Sequence, residues 1–575
     1  MDGDVNFTFN MKVVDYFFTK YGCIVCDGCS VVSSSIKCSD LEPLNWYGLL
    51  FGLIAAGEKY NVYNINHRMN KNQHDKSDQL FVQNRKSARW YGFPVVVVMF
   101  CIFLGACTVG PDFEAPDAPS VSTVAAQPLP MKTVATPVAG GESQLFHDGA
   151  VPPSRWWTLY GSEQLNQLVE QAFNGSPTVA SAQAALRAAQ QNLAAQRGAL
   201  FPSLNGNFSP SRQKINGASE GFPQEGNVLY TLYNASVSLS YNLDTFGGVR
   251  RGIEAQQAAQ DAQRNELQAT YQALAANVVT AAVLEASLHA QLDATHELLA
   301  SARHQLDLSQ KQFELGGAAR SDVLSAQSNL ASLAATLPPL QQQLTMARSQ
   351  LALYLGKLPS EYSIAPFQLA SLHLPLDMPV SLPSELVRQR PDIRQAEAQL
   401  HQASANIGVA TANMLPQIGI TGSLGDTSGT LGSLLKSNVF SLAGNFAQPL
   451  FQGGALTAKR RVALAAYDQA LAQYRQTVLL AFKNVADALR AVDNDAQVLN
   501  AQFTAQSAAA ESLHLIEQRY GFGGASNLEL LTAQQQYEKS RIGYIQALAA
   551  RYQDTAALFL ALGGDWGAPV KVKLN

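Results

Sequence analysis

Two stretches of this chain carry the same landmark residues in the same order. The first runs from Phe313 to Ala318 and the second from Tyr520 to Ala525, and each holds an aromatic residue, two adjacent glycines and an alanine. The match continues at constant spacing to Gln327 in the first stretch and Gln534 in the second. A tandem duplication makes each copy build the same supersecondary unit, so this repeat constrains the fold strongly.

The duplication extends to other helix and turn landmarks. The matched pairs are Pro177 with Pro391, Phe201–Pro202 with Leu415–Pro416, and Phe246–Gly248 with Phe451–Gly454. The spacing shortens between the second and third pairs, which predicts a longer loop in the first copy, as exposed loops tolerate. We place the first structural repeat at residues 155–372 and the second at residues 373–565.

Composition and motifs exclude several functional classes. The formal net charge is only −4, so no nucleic-acid partner is expected. The sequence has no His-Glu-x-x-His and no phosphate-binding Gly-rich lysine loop. Because these motifs carry much of the chemistry of hydrolases and nucleotide-binding enzymes, their absence predicts that the chain is not an enzyme.

The six cysteines all lie at or before Cys107. The rest of the chain has no thiol, which excludes a disulfide framework there. The spacing Cys23-x-x-Cys26-x-x-Cys29 is typical of iron–sulfur or zinc ligation, but Cys38 is badly placed for the bacterial ferredoxin pattern. We therefore expect no metal and no cofactor.

Residues 85–107 have the three parts of an export signal. Basic residues lie between 85 and 89, residues 95–104 are apolar, and Leu104–Gly105–Ala106–Cys107 ends the segment. A signal peptidase requires small residues before its cut, and the cysteine directly after the cut resembles a bacterial lipobox. This implies diacylglycerol on the Cys107 sulfur and a palmitate-type chain on the new amino group, a stable anchor. The alternative is an ordinary signal with an incidental cysteine.

A long segment that matches neither repeat precedes the signal. We interpret residues 1–68 as an upstream extension from a misplaced start, with Met69 as the true start and residues 69–106 as the signal peptide. A genuine cytoplasmic extension is the alternative. Residues 107–154 are rich in proline, which predicts an extended lipidated tether. Residues 566–575 form a C-terminal tail.

Each repeat is predicted to contain a helix, a β-hairpin, a very long helix and a shorter return helix. The hairpins fall at 203–243 and 417–448, where apolar and polar residues alternate as in a membrane strand with a polar inner side. The long helices run from Val249 to about Phe313 and from about Ala455 to Tyr520, and glycines end both. The return helices are expected over about 320–355 and 526–562.

These elements predict an oligomer. In lipid, an open sheet leaves backbone N–H and C=O groups unpaired, so only closed barrels span a membrane. The chain supplies four candidate strands, whereas the smallest outer-membrane barrels have about eight. Heptad spacing of Leu292, Leu299, Leu306 and Phe313 also indicates partner helices, as in a coiled coil.

Together these landmarks resemble the TolC-like outer-membrane factors of tripartite efflux systems, in particular their NodT-type lipoprotein branch. The resemblance covers about residues 104–566. It is carried by Leu104–Cys107 with Gly110–Pro111, Trp156–Trp157, Leu243–Gly248, Arg390–Ile393 with Glu397, Pro449–Gly454 and Ala561–Trp566.

The resemblance implies a fold that is mainly α with membrane β. Three internally duplicated chains would form a 12-stranded outer-membrane β-barrel continued by a long α-helical periplasmic barrel. The implied partners of this homotrimer are a periplasmic adaptor protein, an inner-membrane RND-type pump and outer-membrane lipid. The implied function is an exit channel that passes drugs or other small toxic compounds from the periplasm to the exterior.

The family docks its adaptor at two helix–turn–helix tips. These correspond here to Gly316, Gly317 and Ala318, and to Gly523, Gly524 and Ala525. Some members narrow the tunnel entrance with acidic rings. Glu529 matches one such position and Asp322 is its repeat mate, whereas the next acidic position is Thr532 here and departs from the pattern. The alternative is that both carboxylates only complement helix dipoles.

Two other functions share part of these features. The outer-membrane duct of a type I protein-secretion system uses the same fold, and a structural coiled-coil lipoprotein would share the helices. The alternating strands argue against the coiled-coil lipoprotein, which needs none. The lipobox and Arg390–Pro391–Asp392–Ile393 favour efflux over secretion by resemblance alone.

Overall fold

The computed structural model describes residues 30–32, 35–37, 108–117, 130–150, 152–216, 227–380, 387–434, 436 and 438–563. The chain divides into two compact units, Met1–Trp90 and Tyr91–Asn575. In the first unit, β1 (Ser30–Val32) and β2 (Ser35–Lys37) form an antiparallel pair. The remaining residues of the predicted extension, the signal peptide, Cys107 and the tail at 566–575 lie outside the described residues.

The first repeat lies in the second unit. It is preceded by β3 (Leu145–Asp148). It contains the following elements in chain order: a 3-10 helix (Trp156–Tyr160), α1 (Glu163–Gly175), α2 (Pro177–Gly198), β4 (Ser203–Asn216), β5 (Asn227–Leu243), α3 (Gly248–Glu314), α4 (Arg320–Ala334) and α5 (Leu337–Tyr354).

The second repeat has the same order of helix, hairpin, long helix and return. Its elements are β6 (Asp377–Val380), α6 (Pro391–Ala412), β7 (Gln417–Ser428), β8 (Val439–Ala447), α7 (Ala455–Gly521) and α8 (Asn527–Leu562). Helices α3 and α7 are both 67 residues long, which corresponds to about 100 Å at the usual rise per residue. The predicted duplication and the mainly α fold are therefore confirmed.

One element differs from the prediction. The first return helix, expected as one piece over about 320–355, ends at Ala334 and restarts at Leu337. Pro338 and Pro339 have no N–H to donate to the preceding turn, so two successive helical hydrogen bonds are lost there. The second copy has no proline at this place, and α8 continues unbroken.

The start of each long helix is fixed by glycine. Gly247 and Gly454 both adopt a positive φ, of 75° and 81°, immediately before α3 and α7. In the first copy the Asp244 carboxylate also accepts hydrogen bonds from the N–H groups of Val249 (2.8 Å) and Arg250 (3.0 Å). The carboxylate thus pairs backbone donors that have no partner within the helix.

Apolar packing holds the helices together beside the 3-10 helix. Trp156 and Trp157 are almost fully buried, and the Trp156 ring stacks on Phe559 of α8 with centroids 5.4 Å apart. Among the described residues, one helix, α3, has a stretch apolar and long enough to cross a bilayer, but 67% of that stretch is buried inside the protein. Burial of this extent is typical of a core helix.

Candidate functional site

The four strands of the two hairpins form one antiparallel sheet in the order β4-β5-β7-β8. Residues that lie directly opposite each other share a face of the sheet. One cross-strand row is Gly206, Val237, Leu424 and Phe440, and the next is Asn205, Ser238, Ser423 and Ser441. The alternation that the sequence predicts in each strand is therefore in register across all four strands.

The apolar face of this sheet is open to the surroundings of the chain. Val237 is 50%, Leu424 56% and Phe440 79% exposed. The opposite face carries small polar groups, and the hydroxyls of Ser423 and Ser441 lie 2.8 Å apart across β7 and β8. An apolar face that is exposed on several neighbouring strands is typical of a surface that contacts lipid or protein.

The two predicted tips have the same geometry. Gly316 has φ 79° and Gly523 has φ 70°. The N–H of Gly317 donates to the Gln312 carbonyl and that of Gly524 to the Arg519 carbonyl, both at 2.7 Å. A glycine in the left-handed conformation, followed by an N–H that donates back to a carbonyl of the last helical turns, is a common helix end and satisfies the last carbonyls.

The structure brings the two tips together. The Tyr520 hydroxyl donates to the Gln312 side chain at 3.2 Å, and the Asn527 amide donates to the Asp322 carbonyl at 3.2 Å. Near these contacts, Leu315 is 88% and Phe522 92% exposed. The paired tips therefore present large apolar side chains to the surroundings.

The two candidate gate carboxylates both cap helices. Asp322 accepts from the Ala319 N–H at 3.0 Å, and Glu529 accepts from the Ser526 N–H at 2.6 Å and its hydroxyl at 2.9 Å. These bonds to Ser526 lower the pKa of Glu529. The Arg519 guanidinium lies 3.9 Å from the other oxygen of Glu529. Both carboxylates thus lie in the first turn of a helix, where the helix dipole favours negative charge.

The residues that directly follow Cys107 pack against helix α3. Buried Arg251 of α3 donates to the carbonyls of Val109 (3.2 Å) and Gly110 (3.3 Å) and to the Asp112 carboxylate (2.7 Å). The Val109 N–H donates to the Phe246 carbonyl at 3.1 Å. Sequence reasoning missed this site because Arg251 is distant in the chain from the tether it holds.

The other end of the proline-rich segment is also fixed. Arg551 of α8 is fully buried and donates to the Thr133 hydroxyl at 3.2 Å and to the Glu142 carbonyl at 2.5 Å. The predicted extended tether over 107–154 is therefore held against the helices α3 and α8 by contacts within its described stretches 108–117 and 130–150.

Comparison with known proteins agrees with this architecture. Residues 168–357 and 382–564 match the family of outer membrane efflux proteins. The pyoverdine export outer membrane protein OpmQ of Pseudomonas putida is 30% identical over 448 residues, which cover 77% of this chain and 94% of the relative. Nodulation protein T of Rhizobium leguminosarum bv. viciae is 28% identical over 489 residues, or 83% and 95% of the two chains.

Solved structures show the same fold. The outer-membrane channel OprN gives a TM-score of 0.70 at 29% identity, covering 80% of this chain and all of that one. The Neisseria gonorrhoeae MtrE outer membrane channel in its open state gives 0.68 at 26% identity, with 80% and 98% coverage. With both repeats matched in sequence and structure, the chain belongs to the outer membrane efflux protein family, the TolC-like outer-membrane factors.

Proposed function

We propose that three copies of this outer membrane efflux protein assemble into one exit duct, which passes small toxic compounds from the periplasm to the exterior. The sheet carries this proposal: it is apolar on one face and polar on the other, and among the described residues its outer strands β4 and β8 each pair on one side only. In hydrocarbon the open edges need partners, and three copies supply a 12-stranded closed barrel, whose polar face lines a wet pore.

The paired tips are the proposed docking site of a periplasmic adaptor, which connects the duct to an inner-membrane RND-type pump. The tip residues Gly316, Gly317, Ala318, Gly523, Gly524 and Ala525 shape this surface. Leu315, Phe522 and Leu528, the last 74% exposed, supply an apolar patch for a partner. The pump supplies the energy for transport, and the duct contributes little to the choice of compound.

The names of the relatives support a small-molecule cargo. Their names include pyoverdine export, antibiotic efflux and toluene efflux, and these cargoes are small molecules. This favours an efflux duct over the duct of a type I protein-secretion system for the present chain.

Cys107 is proposed to carry lipid that anchors the chain in the outer membrane. The support is the sequence Leu104–Gly105–Ala106–Cys107 together with the seat that holds the next residues beside the end of β5. Purification from cells grown with labelled palmitate and mass analysis of the N-terminal peptide test it. A mature chain without acyl groups would contradict the proposed lipid anchor.

Glu529 and Asp322 are proposed to form carboxylate rings at the tunnel entrance, where they favour cations over anions. Because each also caps a helix, Glu529→Gln and Asp322→Asn are the informative changes: both remove charge and keep a hydrogen-bond acceptor. Loss of cation block in planar bilayers supports the gate, with exposed Glu517→Gln as the control. Unchanged block in both variants leaves the carboxylates as caps only.

The trimeric duct itself is tested on the purified protein. We expect a mass of three chains in detergent and stable conductance in planar bilayers. Deletion of the gene should then raise susceptibility to a set of antibiotics, detergents and metals. A stable monomer without conductance would overturn the proposal.

A further inference from the structure

The seat of the N-terminal segment is built from a buried cation and two carboxylates. Arg251 is 5% exposed and donates to four groups on the protein. Its fourth acceptor is Glu254 at 2.8 Å, so the buried positive charge faces Asp112 and Glu254 together. The Asp112 side chain is itself 90% exposed. The cost of displacing the segment therefore lies with Arg251, whose buried guanidinium would lose three of its four acceptors.

Glycine allows the segment to lie against the helices. Gly110 has φ 104°, and a Cβ there would lie 2.5 Å from the Gly408 Cα of α6. A Cβ on Gly408 would in turn meet Arg251 Cγ at 2.8 Å and the Val109 carbonyl oxygen at 2.9 Å. The two glycines thus form a groove between α3 and α6 that admits only backbone.

Aromatic packing extends the seat along α6. The Phe113 ring stacks on the His401 ring with centroids 4.4 Å apart and planes inclined by 12°. The His401 Nε2 lies 2.9 Å from Glu254 Oε1, so the stacked ring is tied to the same carboxylate that faces Arg251. Four of the five residues from Val109 to Phe113 are therefore contacted by the side chain of Arg251 in the first repeat or of His401 in the second.

The seat lies at the junction of the sheet and the long helix. Val109 bonds to Phe246, and a Cβ on Gly247 would lie 2.7 Å from Thr108 Cγ2. β5 ends at Leu243, a few residues away. Two residues span at most about 7 Å, so a lipid attached at Cys107 starts close to this junction.

We infer that Arg251 is a positioning residue which makes the acyl chains of Cys107 enter the bilayer beside the helix end of the sheet, and not at the end of a free tether. The inference rests on the proposed lipidation of Cys107. The apolar-face residues nearest this end are Leu204, Leu243, Ile418 and Phe446.

The position of the lipid can be mapped by crosslinking. Cells are grown with a palmitate analogue that carries a diazirine, the outer membranes are illuminated, and crosslinked peptides of the full chain are identified. We expect crosslinks within the chain to concentrate on Leu204, Leu243, Ile418 and Phe446. Arg251→Lys keeps the charge but loses the planar fork, so crosslinks there should fall at least threefold. Arg264→Lys, an exposed pair with Asp261 on the same helix, is the matched control.

The seat itself has a second readout that does not need lipid. Because no cysteine follows Cys107, Glu114→Cys in a background in which all six native cysteines are replaced by serine accepts a single nitroxide label. Its spectrum should be immobilised with Arg251 and mobile with Arg251→Lys.

The outcomes separate the two proposals. Absence of acyl incorporation would overturn lipidation and the inference with it. Incorporation with crosslinks dispersed over the sheet, or unchanged by Arg251→Lys, would overturn the positioning role alone. Equal label mobility in both proteins would also overturn it.

Discussion

Arg348 on α5 donates from its Nε to the fully buried carboxylate of Glu285 on α3, with a nitrogen–oxygen distance of 2.9 Å. The Tyr362 hydroxyl donates to the second oxygen at 3.1 Å, and the His289 ring lies 3.8 Å from the first. Burial, and then Arg348, lower the pKa of His289. The long helix of the first repeat is therefore tied to its return helix through a buried charge.

Replacement of Arg348 should destabilise the helical body. Arg348→Met leaves the Glu285 charge buried without its cation, which costs about 3 kcal/mol. The loss of stability should be larger at pH 8 than at pH 5. Without Arg348 the pKa of His289 rises, so at pH 5 the imidazolium can replace the guanidinium beside Glu285. Thermal unfolding followed by circular dichroism in detergent measures both effects.

Two further variants check this result. Lys311→Met removes an exposed pair with Asp307 on the same helix and should leave the stability almost unchanged, because exposed ion pairs contribute little. The double variant Glu285→Leu with Arg348→Met should lose less than Arg348→Met alone. Equal losses would show that the buried charge is not the cause.

A second carboxylate gives the body a pH dependence. Burial, followed by a hydrogen bond that the protonated Asp495 donates to Asp554, raises the pKa of Asp495 on α7 to about 7, and Arg551 of α8 opposes the shift. Because this value exceeds that of the unfolded chain, the stabilisation is complete below the unfolded pKa and is lost as the pH rises through about 7. The apparent melting temperature should therefore fall between pH 5 and pH 8.

Asp495→Asn should flatten this pH profile by at least half, because the neutral amide keeps a hydrogen bond to Asp554 without a proton to lose. Asp487→Asn is the control, since Asp487 lies in an exposed pair with Lys483 on the same helix. A profile that is as steep in Asp495→Asn as in the parent protein would refute the assignment.

The tips offer a matched pair of glycines. Gly523 has φ 70°, whereas no positive φ is found at Gly524, and a Cβ fits at either position. Gly523→Ala should cost about 1 kcal/mol through backbone strain, and Gly524→Ala should be nearly neutral. We expect hydrogen exchange at the end of α7 to accelerate about fivefold in Gly523→Ala only. The same contrast should hold between Gly316→Ala and Gly317→Ala.

Neighbouring residues of β7 should respond differently to charge. Leu424→Arg places a guanidinium on the apolar face, at a cost of about 2–4 kcal/mol if that residue lies near the bilayer midplane. Ser423→Arg places it on the polar face and should be tolerated better. The amount of folded trimer recovered from outer membranes measures the difference. Equal recovery would mean that the apolar face does not contact lipid.

Much of the fold could be predicted from local patterns. The glycine pairs that begin at Gly316 and Gly523 predict helix ends, because a left-handed residue there satisfies the last carbonyls. Alternation along β5 and β7 fixes which side chains share a face. Pro338 also predicts a break in the first return helix, because it cannot donate a helical hydrogen bond. The repeat favours two equal return helices instead, and that expectation is wrong for the first copy.

Long-range pairing was beyond prediction from the sequence. Arg251 and Glu285 carry no local pattern that names Val109 or Arg348 as the partner, and a residue's burial depends on packing between distant helices. The candidate gate shows the same limit. Glu529 and Asp322 could be assigned to helix N-termini from the sequence, but the capping bonds became visible only in the structure.

The sequence by itself determined the duplication, the two long helices, the alternating strands and the family. Each of these follows from local periodicity or from turn residues whose backbone preferences act over a few residues. The tertiary structure alone decided that β5 and β7 pair to join the two hairpins into one sheet, and that Arg251 holds the segment behind Cys107. Such contacts join residues far apart in the chain, and their stability comes from burial and charge pairing that only the folded arrangement creates.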